Sequence, residues 1–216
     1  MPAHSDDVRR LELVLASRND GKVRELARLL EGLPVVVRSL GEVGITDDLR
    51  EDGETFAANA LQKVDQVVAR TGRACLADDS GLEVSALGGA PGVFSARFAG
   101  EPRDDGRNNR KLLAALASVV EPRRARFRCT VAFADPEGPL GARREVFEGA
   151  CEGRILTAPR GSSGFGYDPL FVPDGHDETF AELGPEPKDR VSHRGRAMRA
   201  FRDWLAGYLG VASLGR

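Results

Sequence analysis

Cysteine and excess charge are both scarce in this sequence. Cys75, Cys129 and Cys151 are odd in number, lie far apart and form no C-x-x-C pair. They indicate neither a disulfide framework nor a zinc site, so we expect reduced, mostly buried thiols. Lysine and arginine total 31 against 33 acidic residues, a net charge of −2. Without a positive excess, the chain is not expected to bind nucleic acid polymers.

Long apolar segments are also missing. No apolar run approaches the roughly 18 residues that a membrane helix needs. The first ten residues are polar and carry Asp6 and Asp7, unlike the basic and apolar start of a signal peptide. We therefore expect a soluble cytoplasmic protein with no membrane partner, and a flexible N-terminal segment over residues 1–10.

Ordinary globular composition predicts the class of fold. The 216 residues are 41% hydrophobic and 30% charged, enough for a sizeable core in one compact domain with two lobes. Period-2 and buried apolar runs predict strands at Leu11–Ala16, Leu33–Val37, Ala74–Asp78, Phe127–Phe133 and Glu145–Ala150. Helical spacing predicts helices marked by Val23 to Leu30, Phe56 to Val68, Leu112 to Val120, and Met198 to Leu209 with Ser192 as N-cap. Residues 86–106 are rich in Gly and Pro and predict loop. Helices and strands interleave, so the class is α/β.

The first chemical motif lies between the first strand and the first helix. It comprises Ser17, Arg18, Asn19, Asp20, Gly21 and Lys22. Unpaired N–H groups and the positive end of the helix dipole favour a phosphate at such a loop. The motif is not a Walker loop, because Gly21 and Lys22 are followed by Val23. Taken alone, it fits an ordinary Asn-Asp-Gly turn with a solvated lysine better.

Three carboxylates form the second motif. Asp78 and Asp79 end the predicted third strand and point to opposite faces, so they are not expected to act as a dyad. Glu51 precedes an Asp-Gly turn. Magnesium prefers a few carboxylates together with substrate phosphates, and Glu51 with an aspartate suits it. The alternative is that each is an ordinary surface acid.

A glycine-rich loop and the start of the last helix complete the set. Residues 161–168 include Phe165, Gly166, Tyr167 and Asp168, but Pro169 breaks the Rossmann spacing. An aromatic side chain there can stack on a nucleobase and an acid can read a base edge, whereas core packing of either aromatic is the alternative. Basic side chains follow at Lys188, His193 and Arg194. Together the motifs indicate a nucleoside polyphosphate.

The motifs resemble those of the inosine triphosphate pyrophosphatase family, also called Ham1-like. The matching segments are S-R-N-D-G-K at 17–22, E-D-G-E-T-F at 51–56, A-D-D-S-G-L at 77–82, G-G-A-P-G-V-F-S-A-R-F at 88–98, G-F-G-Y-D-P at 164–169 and S-H-R-G at 192–195. They run in family order across almost the whole chain. Arg18 and Ala58 depart from the pattern, since a small residue and a glutamate are frequent at these positions.

The resemblance implies an elongated two-lobed α/β fold around a long twisted mixed sheet, with the active-site cleft between the lobes, usually as a homodimer. It also implies Mg²⁺-dependent hydrolysis of ITP, dITP and XTP to the monophosphate and pyrophosphate. Carried over by position, Ser17 to Lys22 hold the triphosphate, Glu51 and Asp79 hold the metal, and Asp79 is the general base. The implied substrate contacts are Ser80, Phe165, Gly166, Tyr167, Asp168, Lys188, His193 and Arg194.

Two other functions remain open from the sequence. One is a house-cleaning pyrophosphatase that acts on dUTP or modified pyrimidines. The other is a catalytically silent nucleotide-binding protein, against which the retained Glu51 and Asp79 argue. Initial rates on a panel of nucleotides discriminate among them.

Overall fold

A computed structural model describes residues 10–211 of the chain. Six strands form one sheet: β1 (Leu11–Leu15), β2 (Val35–Arg38), β3 (Ala74–Val84), β4 (Arg123–Ala134), β5 (Arg144–Ile155) and β6 (Phe171–Pro173). The helices are α1 (Asp20–Leu29), α2 (Phe56–Thr71), α3 (Asp105–Ala115), α4 (Pro185–Val191) and α5 (His193–Tyr208). Three 3₁₀ turns lie at Gly41–Val43, Ser85–Leu87 and Gly92–Arg97.

The sheet is mixed, in the order β2-β1-β3-β4-β5-β6. β1 pairs in parallel with β2 and β3, whereas the pairs from β3 to β6 are antiparallel. The parallel pairs need crossover helices, which α1 and α2 supply. The predicted α/β class is therefore confirmed, and the parallel pairing places the end of β1 beside the start of β3.

Helices cover both faces of the sheet in its central part. Phe133 on β4 packs with Phe201 of α5 on one face, while Ala132 lies in a second cluster with Val64 of α2 on the other. A third cluster, which includes Phe171, fills the end of the sheet near β6. The alternating pattern over Phe127–Phe133 is typical of a strand with one buried face, but the second half of β4 is buried on both faces. The reason is that it lies between two helical layers.

Strand β3 is longer than predicted. It continues past Asp78 to Val84, since the backbone from Cys75 to Val84 pairs with β4. Gly81 is required within it, because a Cβ there would lie 2.5 Å from the Gly92 carbonyl oxygen. Asp78 and Asp79 therefore sit inside a strand with fixed side-chain directions rather than at its end.

Other boundaries differ less. β5 is longer at both ends than the predicted Glu145–Ala150, and α3 ends at Ala115, so Val120 lies beyond it and is 86% exposed. Ser192 caps α5 as predicted, with Oγ accepting the Gly195 N–H at 3.1 Å. All three cysteines are free and buried, as expected.

Some predictions concern regions that the structure leaves aside. Apart from Arg10, the segment 1–10 lies outside the described residues. Within residues 10–211, no helix is long and apolar enough to cross a membrane. The single two-lobed domain stays a prediction.

Candidate active site

Two adjacent aspartates on β3 organise the predicted site residues. Asp78 is buried, and its Oδ2 accepts hydrogen bonds from Lys22 Nζ at 2.9 Å and Arg194 Nε at 3.4 Å. Burial alone raises the pKa of Asp78, but the positive charges of Lys22, Arg194 and Lys63 outweigh it and hold the pKa well below its usual range. Asp78 thus joins α1 to α5 as an ionised carboxylate.

Asp79 faces the opposite side of β3, towards α2. Its Oδ2 accepts a hydrogen bond from Asn59 Nδ2 at 2.8 Å. Lys63 Nζ lies 3.9 Å from Asp79 Oδ1 and 3.4 Å from Glu51 Oε2, and it donates to the Asp78 backbone oxygen at 2.6 Å. Burial raises the pKa of Asp79, against the opposing effects of Lys63 and Asn59. The two predicted metal carboxylates therefore converge on one ammonium group.

Side chains of α2 hold the loop that carries Glu51. The N–H of Gly53 donates to Asn59 Oδ1 at 2.7 Å, and the N–H of Arg50 donates to Gln66 Oε1 at 2.9 Å. The approach at Gly53 is close, because a Cβ there would lie 2.9 Å from Asn59 Oδ1. The polar face of α2 thus fixes the backbone on both sides of Glu51.

The carboxylates of Glu51 and Asp79 fit a magnesium ion that is shared with a substrate. In the part of the chain that the structure describes, no three His, Cys, Asp or Glu side chains are placed to hold a metal together. Mg²⁺ commonly takes one or two protein carboxylates and completes its octahedron with water and substrate phosphates. Glu51 and Asp79 supply oxygens of that kind.

The predicted phosphate loop is partly self-capped. Asn19 is the N-cap of α1, and its Oδ1 accepts the N–H groups of Gly21 at 2.8 Å and Lys22 at 3.2 Å. Ser17 Oγ accepts the Asn19 N–H at 3.2 Å. The expectation that these helix N–H groups are unpaired was therefore wrong, because the cap satisfies two of them. The ammonium group of Lys22 remains as the cationic group of this loop that reaches β3.

The contacts of Arg18 are with a different segment from those of Lys22. The guanidinium of Arg18 donates to the Thr46 carbonyl oxygen at 2.9 Å and pairs with Asp48. Asp20 is the first residue of α1 and is exposed. The structure thus ties Arg18 to the loop that follows the first 3₁₀ turn.

In the glycine-rich loop, the two aromatic residues have different environments. The Phe165 ring is 73% exposed, and Lys188 Nζ lies 4.8 Å from its centroid. Tyr167 is buried and donates from its hydroxyl to the Ser95 carbonyl oxygen at 2.9 Å. Core packing therefore applies to Tyr167, and Phe165 is the aromatic surface available for stacking.

Asp168 is the internal brace of this loop. Its Oδ2 accepts the Phe165 N–H at 2.8 Å and a hydrogen bond from Lys188 Nζ at 2.5 Å. Gly166 has a positive φ of 60° and is held by side chains of α3. The brace joins the loop to α4.

His193 begins α5 beside Arg194. Its ring stacks on Phe127 with a centroid distance of 4.8 Å, and its Nδ1 is buried without a hydrogen-bond partner. Burial, followed by the charges of Lys188 and Arg194, lowers the pKa of His193 to about 3. The imidazole is therefore neutral at physiological pH. Ser80 is half-buried, and its N–H donates to Asp79 Oδ1 at 3.0 Å.

Asn59 and Lys63 were missed from the sequence. Both lie four residues apart on the buried face of α2, among Phe56, Ala60 and Val64. A lysine is almost never fully buried unless it is paired, so its place in an apolar stripe was the available signal.

Known proteins resemble this chain along most of its length. The sequence model of the Ham1 family matches residues 13–204. A dITP/XTP pyrophosphatase of Desulforamulus reducens is 53% identical over 196 residues, covering 90% of this chain and 96% of its own. A dITP/XTP pyrophosphatase of Geobacter sulfurreducens is 50% identical over 200 residues, covering 92% of this chain and 98% of its own.

Solved structures agree with the sequence relatives. A HAM1 protein from Coxiella burnetii superposes with a TM-score of 0.85 at 40% identity, covering 91% of this chain and 99% of its own. A nucleoside-triphosphatase / dITP/XTP pyrophosphatase from Mycobacterium abscessus gives a TM-score of 0.75 at 46% identity, covering 88% and 98%. The family model covers most of the chain and these relatives share about half of its residues, so this chain belongs to the Ham1 family.

Proposed function

We propose that this protein hydrolyses non-canonical purine nucleoside triphosphates, namely ITP, dITP and XTP, to the monophosphate and pyrophosphate. Relatives that share about half of its residues carry the name dITP/XTP pyrophosphatase. The observation that carries the proposal is the arrangement around β3, where Lys63 lies between Glu51 and Asp79 while Lys22 and Arg194 share Asp78. Removal of such nucleotides from the pool is the proposed role.

At the phosphate end, we assign Mg²⁺ to Glu51 and Asp79. The ion would supply charge stabilisation to the phosphate oxygens as a Lewis acid. Lys22 binds the phosphates and offsets their negative charge. Asn59 holds Oδ2 of Asp79 and the Ser80 N–H holds Oδ1, so the carboxylate has a fixed orientation. We assign to it the orientation of a water molecule towards the α-phosphorus and the acceptance of its proton.

At the base end, Phe165 offers its exposed ring for stacking on the purine. Arg194 donates to the C6 carbonyl of hypoxanthine or xanthine. Adenine presents an amino donor at that position, and a guanidinium cannot accept from it. Lys188 and Asp168 keep the loop against α4, and His193 contributes a neutral ring beside Arg194.

The test of the proposed function is a panel of nucleotides with Mg²⁺ and pyrophosphate detection. We expect the highest kcat/KM values for ITP, dITP and XTP. A preference for dUTP would favour the pyrimidine alternative, and nucleotide binding without any pyrophosphate release would favour the silent binding protein.

The metal assignment has its own test. Glu51→Gln removes one of the two carboxylate charges, so it should raise the Mg²⁺ concentration that gives half-maximal rate. Asp65→Asn is the matched control, because Asp65 is an exposed acid on α2 that pairs with Arg144. An unchanged Mg²⁺ requirement in Glu51→Gln contradicts the assignment.

The homodimer and the cytoplasmic location stay predictions. Light scattering at several protein concentrations tests the first, and fractionation of cells tests the second.

A further inference from the structure

The loop that presents Phe165 contains neither helix nor strand of its own. Residues 161–168 include Gly161, Gly164 and Gly166, each with a positive φ. Glycine reaches this region at little steric cost but loses more conformational freedom on ordering than any other residue. A single orientation of the Phe165 ring therefore needs support from outside the loop.

That support comes from α3, which is remote in sequence. The N–H of Gly166 donates to Asp105 Oδ2 at 2.6 Å, and its carbonyl oxygen accepts from Asn109 Nδ2 at 2.9 Å. Asp105 and Asn109 are four residues apart and lie on one helix face. Together they hold the two peptide groups that flank Gly166. The one that Asp105 holds is the peptide group that joins Phe165 to Gly166.

The hydrogen bonding of Asn109 indicates that an amide is needed at this position for its contact with Gly166. Its Oδ1 is buried and has no hydrogen-bond partner. A buried acceptor without a partner lowers stability, and an apolar side chain of similar size would avoid that loss. The amide is useful at this position because Nδ2 satisfies the Gly166 carbonyl oxygen.

The contacts of Asp105 are likewise directed to the loop. It lies in the first turn of α3 and takes part in no ion pair within residues 10–211. Its contact with Gly166 is the hydrogen bond through which it acts on the loop. The peptide on the other side of Phe165 is held differently, because Asp168 accepts the Phe165 N–H from within the loop.

We propose that Asp105 and Asn109 are positioning residues that set the orientation of the Phe165 ring, and through it the affinity for the nucleobase. The proposal rests on the proposed function, because it assumes that Phe165 stacks on the base. Neither residue touches the carboxylates around Lys63, so binding of the phosphate end does not depend on them.

The experiment compares Asp105→Ala and Asn109→Leu with the wild-type protein. Asp105→Asn is the conservative variant, because it keeps an acceptor oxygen and should restore function. Arg110→Ala is the matched control on an exposed position of α3. The measurements are kcat and KM for ITP, the affinity for IMP by calorimetry, inhibition by inorganic pyrophosphate, and amide exchange at Gly166.

We expect Asp105→Ala and Asn109→Leu each to raise KM for ITP and weaken IMP binding by about tenfold, the effect of one net hydrogen bond. The values of kcat and pyrophosphate inhibition should change by less than about threefold, since uniform binding of the base is what is lost. Exchange at Gly166 should accelerate in Asp105→Ala and stay slow in Asp105→Asn and Arg110→Ala.

Two results overturn the proposal. One is IMP affinity within about twofold of wild type in both variants, a change too small for a lost hydrogen bond. The other is a parallel loss of pyrophosphate inhibition, which shows a general structural defect. Failure of the proposed function is separate, because it appears as a wild-type protein that releases no pyrophosphate, whatever the exchange rate at Gly166.

Discussion

Asn59 donates a hydrogen bond of 2.8 Å to Oδ2 of Asp79 from the buried face of α2. The Oδ1 of the same amide accepts the Gly53 N–H at 2.7 Å. One side chain therefore ties the strand that carries Asp79 to the loop that carries Glu51. The placement of the two carboxylates is set by the packing of α2 against the sheet, so the fold preorganises this end of the site.

Asp79→Asn should reduce kcat by at least about 100-fold, the usual effect of removing a positioned acid–base group. The melting temperature should stay close to that of the wild type. Burial raises the pKa of Asp79, so the uncharged amide removes a desolvation penalty while keeping an oxygen for Asn59. Turnover assays and thermal unfolding of both proteins test this. Near-wild-type turnover, or a large fall in melting temperature, contradicts it.

Asp78→Asn should have the opposite effect to Asp79→Asn, with a larger loss of stability than of turnover. The substitution leaves Lys22 and Arg194 without their shared buried carboxylate. Removing one partner of a buried ion pair lowers the free energy of unfolding by roughly 3 kcal/mol. Chemical denaturation of the Asp78→Asn and Asp79→Asn variants provides the comparison. Equal stability of the two variants rules out the proposed role of Asp78.

Arg194→Met should cut kcat/KM for ITP and XTP sharply and narrow the gap to ATP. The reason is that a guanidinium favours a C6 carbonyl and leaves an adenine amino group unpaired, at about 1 to 3 kcal/mol for each unpaired group. Arg196→Met is the control, since Arg196 lies on the same helix and donates to the Ala150 carbonyl oxygen. If the wild-type protein already treats ITP and ATP alike, Arg194 does not read the base.

His193 should make the protein less stable as the pH falls. Its pKa is about 3 in the folded state, mainly through burial, against about 6.5 in an unfolded chain. Below pH 6.5 the unfolded state therefore binds a proton that the folded state excludes, so stability decreases down to about pH 3. At pH 5 the difference amounts to about 2 kcal/mol. His193→Phe keeps an aromatic ring on Phe127 and should remove this contribution. If the free energy of unfolding of the wild type and of His193→Phe changes equally between pH 7.5 and 5, the prediction for His193 is wrong.

Local patterns predicted the elements that local chemistry determines. The turn after β1, the apolar faces of α2 and α5 and the Ser192 cap follow from spacing and side-chain hydrogen bonding within a few residues. The second half of β3 could not be predicted in this way, because Asp, Ser and Gly are depleted in strands. Pairing with β4 overrides that preference at Asp79 and Gly81.

The sequence indicated several of the residues that the structure brings together around β3, but not their connections. The sequence indicated Lys22, Arg194 and both aspartates, but not that Asp78 joins the first two. It also missed Lys63, because strand register and helix packing bring Lys63 between Glu51 and Asp79. Such contacts depend on segments far apart in the chain, and no local period encodes them.

The most direct measurement of the proposed reaction is phosphorus NMR of dITP hydrolysis in ¹⁸O-enriched water with Mg²⁺. Attack of water on the α-phosphorus predicts pyrophosphate as the primary product, with the heavy oxygen in the monophosphate. Orthophosphate as the primary product, or heavy oxygen in the pyrophosphate, contradicts the account.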